Sequence, residues 1–109
     1  MFKIYEKPEF THKVTVLVPV DGGHKEEAFS ARFQVLPSDK TESFNLQNTD
    51  ELKGFLREAL VAMDDLADAD GKLLAYNDEV REAVLDLPYA RLGLLRTYMA
   101  AITKARMGN

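Results

Sequence analysis

The chain has 109 residues, 46% of them hydrophobic, with no cysteine and a net charge of −4. This length suits one small core and leaves no room for two, and the acidic balance speaks against a general nucleic-acid binder, which carries a basic surplus. The lack of cysteine removes disulfide scaffolds, thiol nucleophiles and thiolate metal sites together. The opening MFKIYEKPEF has no apolar core of signal-peptide length, and no run approaches the roughly 20 apolar residues of a membrane span. The expectation is a single intracellular, soluble domain over residues 1–109, with 1–48 mostly β and 49–109 mostly α.

In residues 1–11, Phe2 and Ile4 alternate with Lys3 and Tyr5, which permits a short strand before Pro8 interrupts it. Residues 12–20 alternate clearly: His12, Val14, Val16, Val18 and Val20 share one face, and Lys13, Thr15, Leu17 and Pro19 the other. Pro19 has no N–H to give to a ladder, so this strand belongs at a sheet edge or ends there. Asp21-Gly22-Gly23 is a turn signal, and the polar run His24 to Glu27 suggests a longer, mobile loop. Residues 28–36 alternate again, with Phe29, Ala31, Phe33 and Val35 on one face. The two runs pair naturally as an antiparallel hairpin, which is marginal alone in water, so C-terminal helices are expected to cover its apolar face.

Pro37-Ser38-Asp39-Lys40 reads as a turn, and Phe44 with Leu46 as a third short strand. Asn48 or Thr49 then caps a helix from about Asp50 to Met63, with Leu52, Phe55, Leu56, Ala59, Leu60 and Met63 on one face. Asp64 to Gly71 ends it in an acidic turn, after which Leu73, Leu74 and Tyr76 are expected to pack back. Asn77 caps a second helix whose apolar side is Val80, Val84 and Leu87. Pro88 stops that helix and opens a third, running to about Ala105. On this last helix Leu92, Leu94, Leu95, Tyr98, Met99 and Ile102 cover nearly half the circumference, so it is expected to be buried on more than one side, one of them by another molecule. The fold class expected is α+β, an N-terminal antiparallel hairpin or small sheet packed on a C-terminal three-helix group.

The candidate chemical sites are weak. Asp68-Ala69-Asp70-Gly71 invites a calcium reading. From Asp68, however, the fifth loop position is Lys72 and the sixth Leu73, where an EF-hand needs an oxygen ligand and glycine. An acidic structural turn is the better reading. His12 and His24 have no second ligand at metal spacing. Ser30, Ser38 and Ser43 lack a nucleophile elbow, and no Gly-rich phosphate loop precedes a helix. The expectation is no enzyme, no metal and no cofactor. Acids crowd Asp64 to Asp86, whereas Arg91, Arg96, Lys104 and Arg106 follow without an acid. That asymmetry suits either an internal contact or complementary surfaces on successive subunits. Two solvated faces with a helix dipole explain it as well.

Phe55-Leu56-Arg57 with Leu60-Val61 is followed by Asp68-Ala69-Asp70-Gly71 with Leu74 and Tyr76-Asn77. Val84-Leu85-Asp86-Leu87-Pro88-Tyr89 and Leu94-Leu95-Arg96-Thr97-Tyr98 complete the series. Taken in this order, the chain resembles the tail assembly chaperones of long-tailed bacteriophages and related prophages. The N-terminal half adds Val14-Thr15-Val16, Val18-Pro19, Asp21-Gly22-Gly23 and Phe29-Ser30-Ala31-Arg32-Phe33, so the resemblance covers nearly the whole chain. Many relatives carry a tryptophan and a glycine after the first helix, where Met63-Asp64-Asp65-Leu66 stands here.

The resemblance implies a non-catalytic role in the cytoplasm of a bacterial host. Such a protein binds the tape-measure protein, keeps its apolar surface from aggregating, and helps recruit the major tail (tube) protein. It also implies self-association and, in many relatives, a frameshift-extended form. No membrane or nucleic-acid partner is implied. The partner-binding residues expected on the last helix are Leu94, Tyr98, Met99 and Ile102, with Arg91 and Arg96 for orientation. A structural tail-completion or connector subunit that stays in the virion is the alternative. A DNA-binding adaptor using the basic end ranks below both.

Overall fold

The computed structural model describes residues 1–103. Lys104, Arg106 and the expected helix end at Ala105 lie outside the described residues. The fold is α+β. Two twelve-residue strands, β1 (Glu9–Val20) and β2 (Gly23–Gln34), form a hairpin that pairs without a break from Glu9↔Gln34 to Val20↔Gly23. Two residues make the turn, and Gly22 takes the left-handed conformation there (φ 77°), which costs glycine little. The polar stretch His24 to Glu27 is therefore strand, not a long loop. It is exposed because the tip of the hairpin projects beyond the core, so alternation brings it no apolar face to bury. β1 is an edge strand, as Pro19 requires.

The third strand comes later than expected. Phe44 and Leu46 lie between a five-residue helix α1 (Ser38–Glu42) and helix α2 (Thr49–Ala59), half-buried against the core. Asn48 caps α2, its side chain accepting the Glu51 N–H at 3.0 Å. The helix stops at Ala59, and Leu60–Asp64 forms β3, antiparallel to β2. The sheet order is β1-β2-β3. Asp65, in the left-handed region at φ 62°, then turns the chain out of this sheet, a conformation that aspartate tolerates better than most residues. Leu66–Ala67 (β4) and Leu73–Leu74 (β5) make a separate two-stranded hairpin. Leu66 packs against the core, but Leu73 and Leu74 are exposed instead of packing back.

Helix α3 (Asp78–Leu85) is capped by Asn77, which accepts the Val80 N–H at 2.8 Å. Helix α4 (Pro88–Ile102) begins with Pro88 in its first turn. The core joins the hairpin's apolar face (Val14, Phe29, Ala31, Phe33) to Phe55 and Leu56 of α2 and to Leu94 and Tyr98 of α4. Close approach of α4 to β1 depends on Gly93. A Cβ there would stand 3.1 Å from the Thr15 carbonyl oxygen and 3.2 Å from a Val16 methyl. Among the described residues no helix is long and apolar enough to cross a membrane.

Candidate partner-binding surfaces

The six residues singled out on the last helix divide between its two sides. Leu94 and Tyr98 are fully buried. Tyr98 stands edge-on to Phe55 and Phe33, with centroids 5.3 and 5.6 Å away, and its hydroxyl accepts the Leu36 N–H at 3.0 Å. Neither residue is available to a partner in this fold, because the face they share is the one laid on the sheet. Arg91 is half-buried, its guanidinium donating to the Leu85 carbonyl at 2.7 Å. It satisfies an otherwise open carbonyl at the end of α3 and braces α3 against α4. Arg96 is exposed, Met99 is half-buried at the edge of the core, and Ile102 is 43% exposed.

A second flank of α4 is nonetheless apolar: Leu95 and Met99 are half-buried and pack against the core, while Leu92 and Ile102 are exposed. Leu92 is 50% exposed, and Leu92, Leu95, Met99 and Ile102 follow one another at steps of three, four and three residues. At 100° per residue they form one seam, with Arg96 beside it. This three-four spacing presents apolar knobs to a second helix. The signal was in the sequence. The wide apolar arc predicts burial on more than one side, but Leu94 and Tyr98, expected at the partner, belong to the side against the sheet, and Leu92 and Leu95 go with Met99 and Ile102.

A second surface was not foreseen. A groove of about 740 Å³ opens between the projecting part of the β1–β2 hairpin, the β4–β5 hairpin, α3 and the start of α4. Val16, Val18 and Phe29 line it from the sheet, and Val80, Val84 and Leu87 from the helical side. Around them stand Glu27, Asp65, Asp68 and Glu79, with no Lys, Arg or His among the described residues of the lining. No local motif marks it, because its walls come from four separate segments.

The acidic turn has a structural task in one of those walls. Asp68 Oδ1 accepts the backbone N–H groups of Asp70 (2.9 Å) and Lys72 (3.0 Å), and Gly71 takes φ 83°. This is an aspartate-closed turn, and it holds the β4–β5 hairpin at the groove's edge. Among the described residues no three His, Asp or Glu side chains gather as a metal site. His12 is exposed beside the edge of the Phe10 ring, and His24 is at the hairpin tip.

One ionic cluster links the helices. Glu82 of α3 receives Arg57 of α2 in a bidentate pair (2.7 to 3.0 Å) and Arg81 at 3.0 Å. The hydrogen bonds from Arg57, more than those from Arg81, draw the Glu82 carboxyl down to about 2, and both arginines are held more firmly protonated in return. The cluster fastens α2 to α3 and faces solvent.

No family model matches the chain, and no curated protein or solved structure matches it significantly.

Proposed function

We propose that the protein is a non-catalytic tail assembly chaperone of a long-tailed phage or prophage, acting in the cytoplasm of its bacterial host. In this reading it binds the tape-measure protein and helps recruit tail-tube subunits. The observation that carries the proposal is the outer face of α4, where exposed Leu92 and Ile102 continue an apolar helical seam with Leu95 and Met99, which are half-buried against the core. A long helical partner with its own apolar stripe would cover that seam by packing helix against helix. The order of motifs along the chain, which resembles that family, supports the same reading. Arg96 beside the seam would orient the partner through its charge.

Co-expression with the tape-measure protein of the same locus tests the proposal. The expected result is a soluble tape measure that co-purifies with this protein. A tape measure equally soluble alone, with no co-purification, overturns the proposal. Mass spectrometry of purified particles separates a chaperone, absent from the finished tail, from a structural tail subunit.

A further inference from the structure

Among the described residues two surfaces have no counterpart, and their chemistries match. One is the apolar groove edged by Glu27, Asp65, Asp68 and Glu79. The other is the segment Met1–Lys7, which has no helix or strand and is exposed throughout. It holds the three most exposed large apolar side chains among the described residues, Met1 and, at 89 and 90% exposure, Phe2 and Ile4, and Tyr5 beside them is exposed too. Apolar groups of this size are rarely left together in water without a partner. Lys3 and Lys7 lie among them against the single acid Glu6.

We propose that Met1–Lys7 of one copy docks in the acidic-edged groove of a second copy of this chain. Phe2, Ile4 and Tyr5 supply apolar side chains to a lining of valines, leucine and phenylalanine. Lys3 and Lys7 meet carboxylates at the rim, where attraction both favours docking and sets its direction. A groove of about 740 Å³ has room for a few such side chains and none to spare for a folded domain. The chain's own segment does not fill its own groove: residues 1–7 are all exposed, and none of them is in the lining. Two copies exchanging segments reciprocally would close a two-fold dimer, and exchange in one direction would build a chain of copies.

The test compares three proteins by sedimentation velocity over a range of concentrations: the full chain, the chain without residues 1–7, and a rim variant. The rim variant combines Glu27→Gln, Asp65→Asn, Asp68→Asn and Glu79→Gln. Asparagine at 68 keeps the Oδ1 acceptor that closes the turn, and asparagine at 65 tolerates the left-handed backbone, so the fold survives, as thermal melts followed by circular dichroism would confirm. The expected result is self-association of the full chain and loss of it in the truncated protein at an unchanged melting temperature. A fluorescent peptide MFKIYEKP binds the truncated protein in an anisotropy titration. It binds the rim variant lacking residues 1–7 roughly three- to tenfold more weakly, the scale of two exposed ion pairs. A full chain that stays monomeric, a truncation that leaves its assembly unchanged, or a peptide that does not bind overturns the proposal. Removing residues 1–7 leaves the outer seam of α4 intact. Tape-measure co-purification and segment docking therefore stand or fall separately.

Discussion

The Leu36 N–H donates to the Tyr98 hydroxyl at 3.0 Å, tying the residue just beyond the long hairpin to the middle of the last helix. The same tyrosine carries its ring into the core between Phe33 and Phe55. Tyr98 thus fixes α4 on the sheet twice, by packing and by accepting a backbone N–H. Tyr98→Phe keeps the ring and leaves the half-buried Leu36 N–H without its partner. Such a loss costs about 1–3 kcal/mol, and urea unfolding should show it with an unchanged m-value. Tape-measure binding at temperatures well below unfolding should not change. Lost binding at full stability would return Tyr98 to the interaction surface.

Gly93 sets how closely α4 lies on β1. Replacing glycine with alanine inside a helix normally gains up to about 1 kcal/mol. Here the new methyl would stand 3.1 Å from the Thr15 carbonyl oxygen, with valine methyls at 3.2 and 3.4 Å. The nearest atom is backbone and cannot rotate away, so the clash outweighs the propensity. Gly93→Ala is expected to destabilise by about 1 kcal/mol, and Gly93→Val by about 3 kcal/mol, within the range of overpacked cores. An alanine variant that melts higher than the parent would show that the helix can lift off the strand without cost.

The Glu82 carboxyl, drawn to about 2 from its ordinary 4.5, predicts part of the acid limb of stability. A carboxylate whose folded-state pKa is depressed contributes fully above its unfolded pKa and loses that contribution as pH falls through the folded value. The bridge from α2 to α3 is therefore intact at neutral pH and drains away between pH 4.5 and about 2. Glu82 is 42% exposed, so solvent screening keeps its worth at neutral pH to about 1 kcal/mol or less. Denaturation of Glu82→Gln against pH should show a small deficit at pH 7 that closes by pH 2. A constant deficit across that window would place the effect in packing and not in charge.

Much of the fold is legible because its signals are local. The alternation in Val14 to Val20 and Phe29 to Val35, the asparagine caps at 48 and 77, and Pro88 in a first turn each depend on a few neighbouring residues. The stretch Leu60 to Asp64 is a strand that carries the spacing of a helix, for a definable reason. Leu60 and Met63 are both buried at a spacing of three, which continues the helical face of Phe55, Leu56 and Ala59. An unbroken strand would put them on opposite faces. β3 avoids this because its pairing shifts by one residue, Phe33 facing Leu60 while Arg32 faces Ala62. The bulge leaves Val61 exposed and returns Met63 to the core, and long-range pairing of this kind leaves no mark in a window of residues. The binding surfaces were harder still. The apolar arc of α4 was visible, but which half of it meets the sheet depends on Gly93, and the groove exists only once four distant segments are folded together.

The outer seam of α4 gives the sharpest separation of binding from stability. Leu92 and Ile102 are half exposed, so Leu92→Lys and Ile102→Lys remove little buried apolar area. Surface changes of this kind usually stay within about 0.5 kcal/mol. Each is expected to leave the melting temperature nearly unchanged and, because it places a charge in the middle of an apolar helix contact, to weaken tape-measure co-purification by tenfold or more, about 1.4 kcal/mol. Leu94→Ala should do the reverse. Leu94 is fully buried, and its truncation should cost about 2–5 kcal/mol of stability while leaving the outer seam untouched in the protein that remains folded. Pull-down at a temperature where all three variants are folded checks both halves. If Leu94→Ala lost the partner while Leu92→Lys and Ile102→Lys kept it, the interaction surface would not be the outer face of α4.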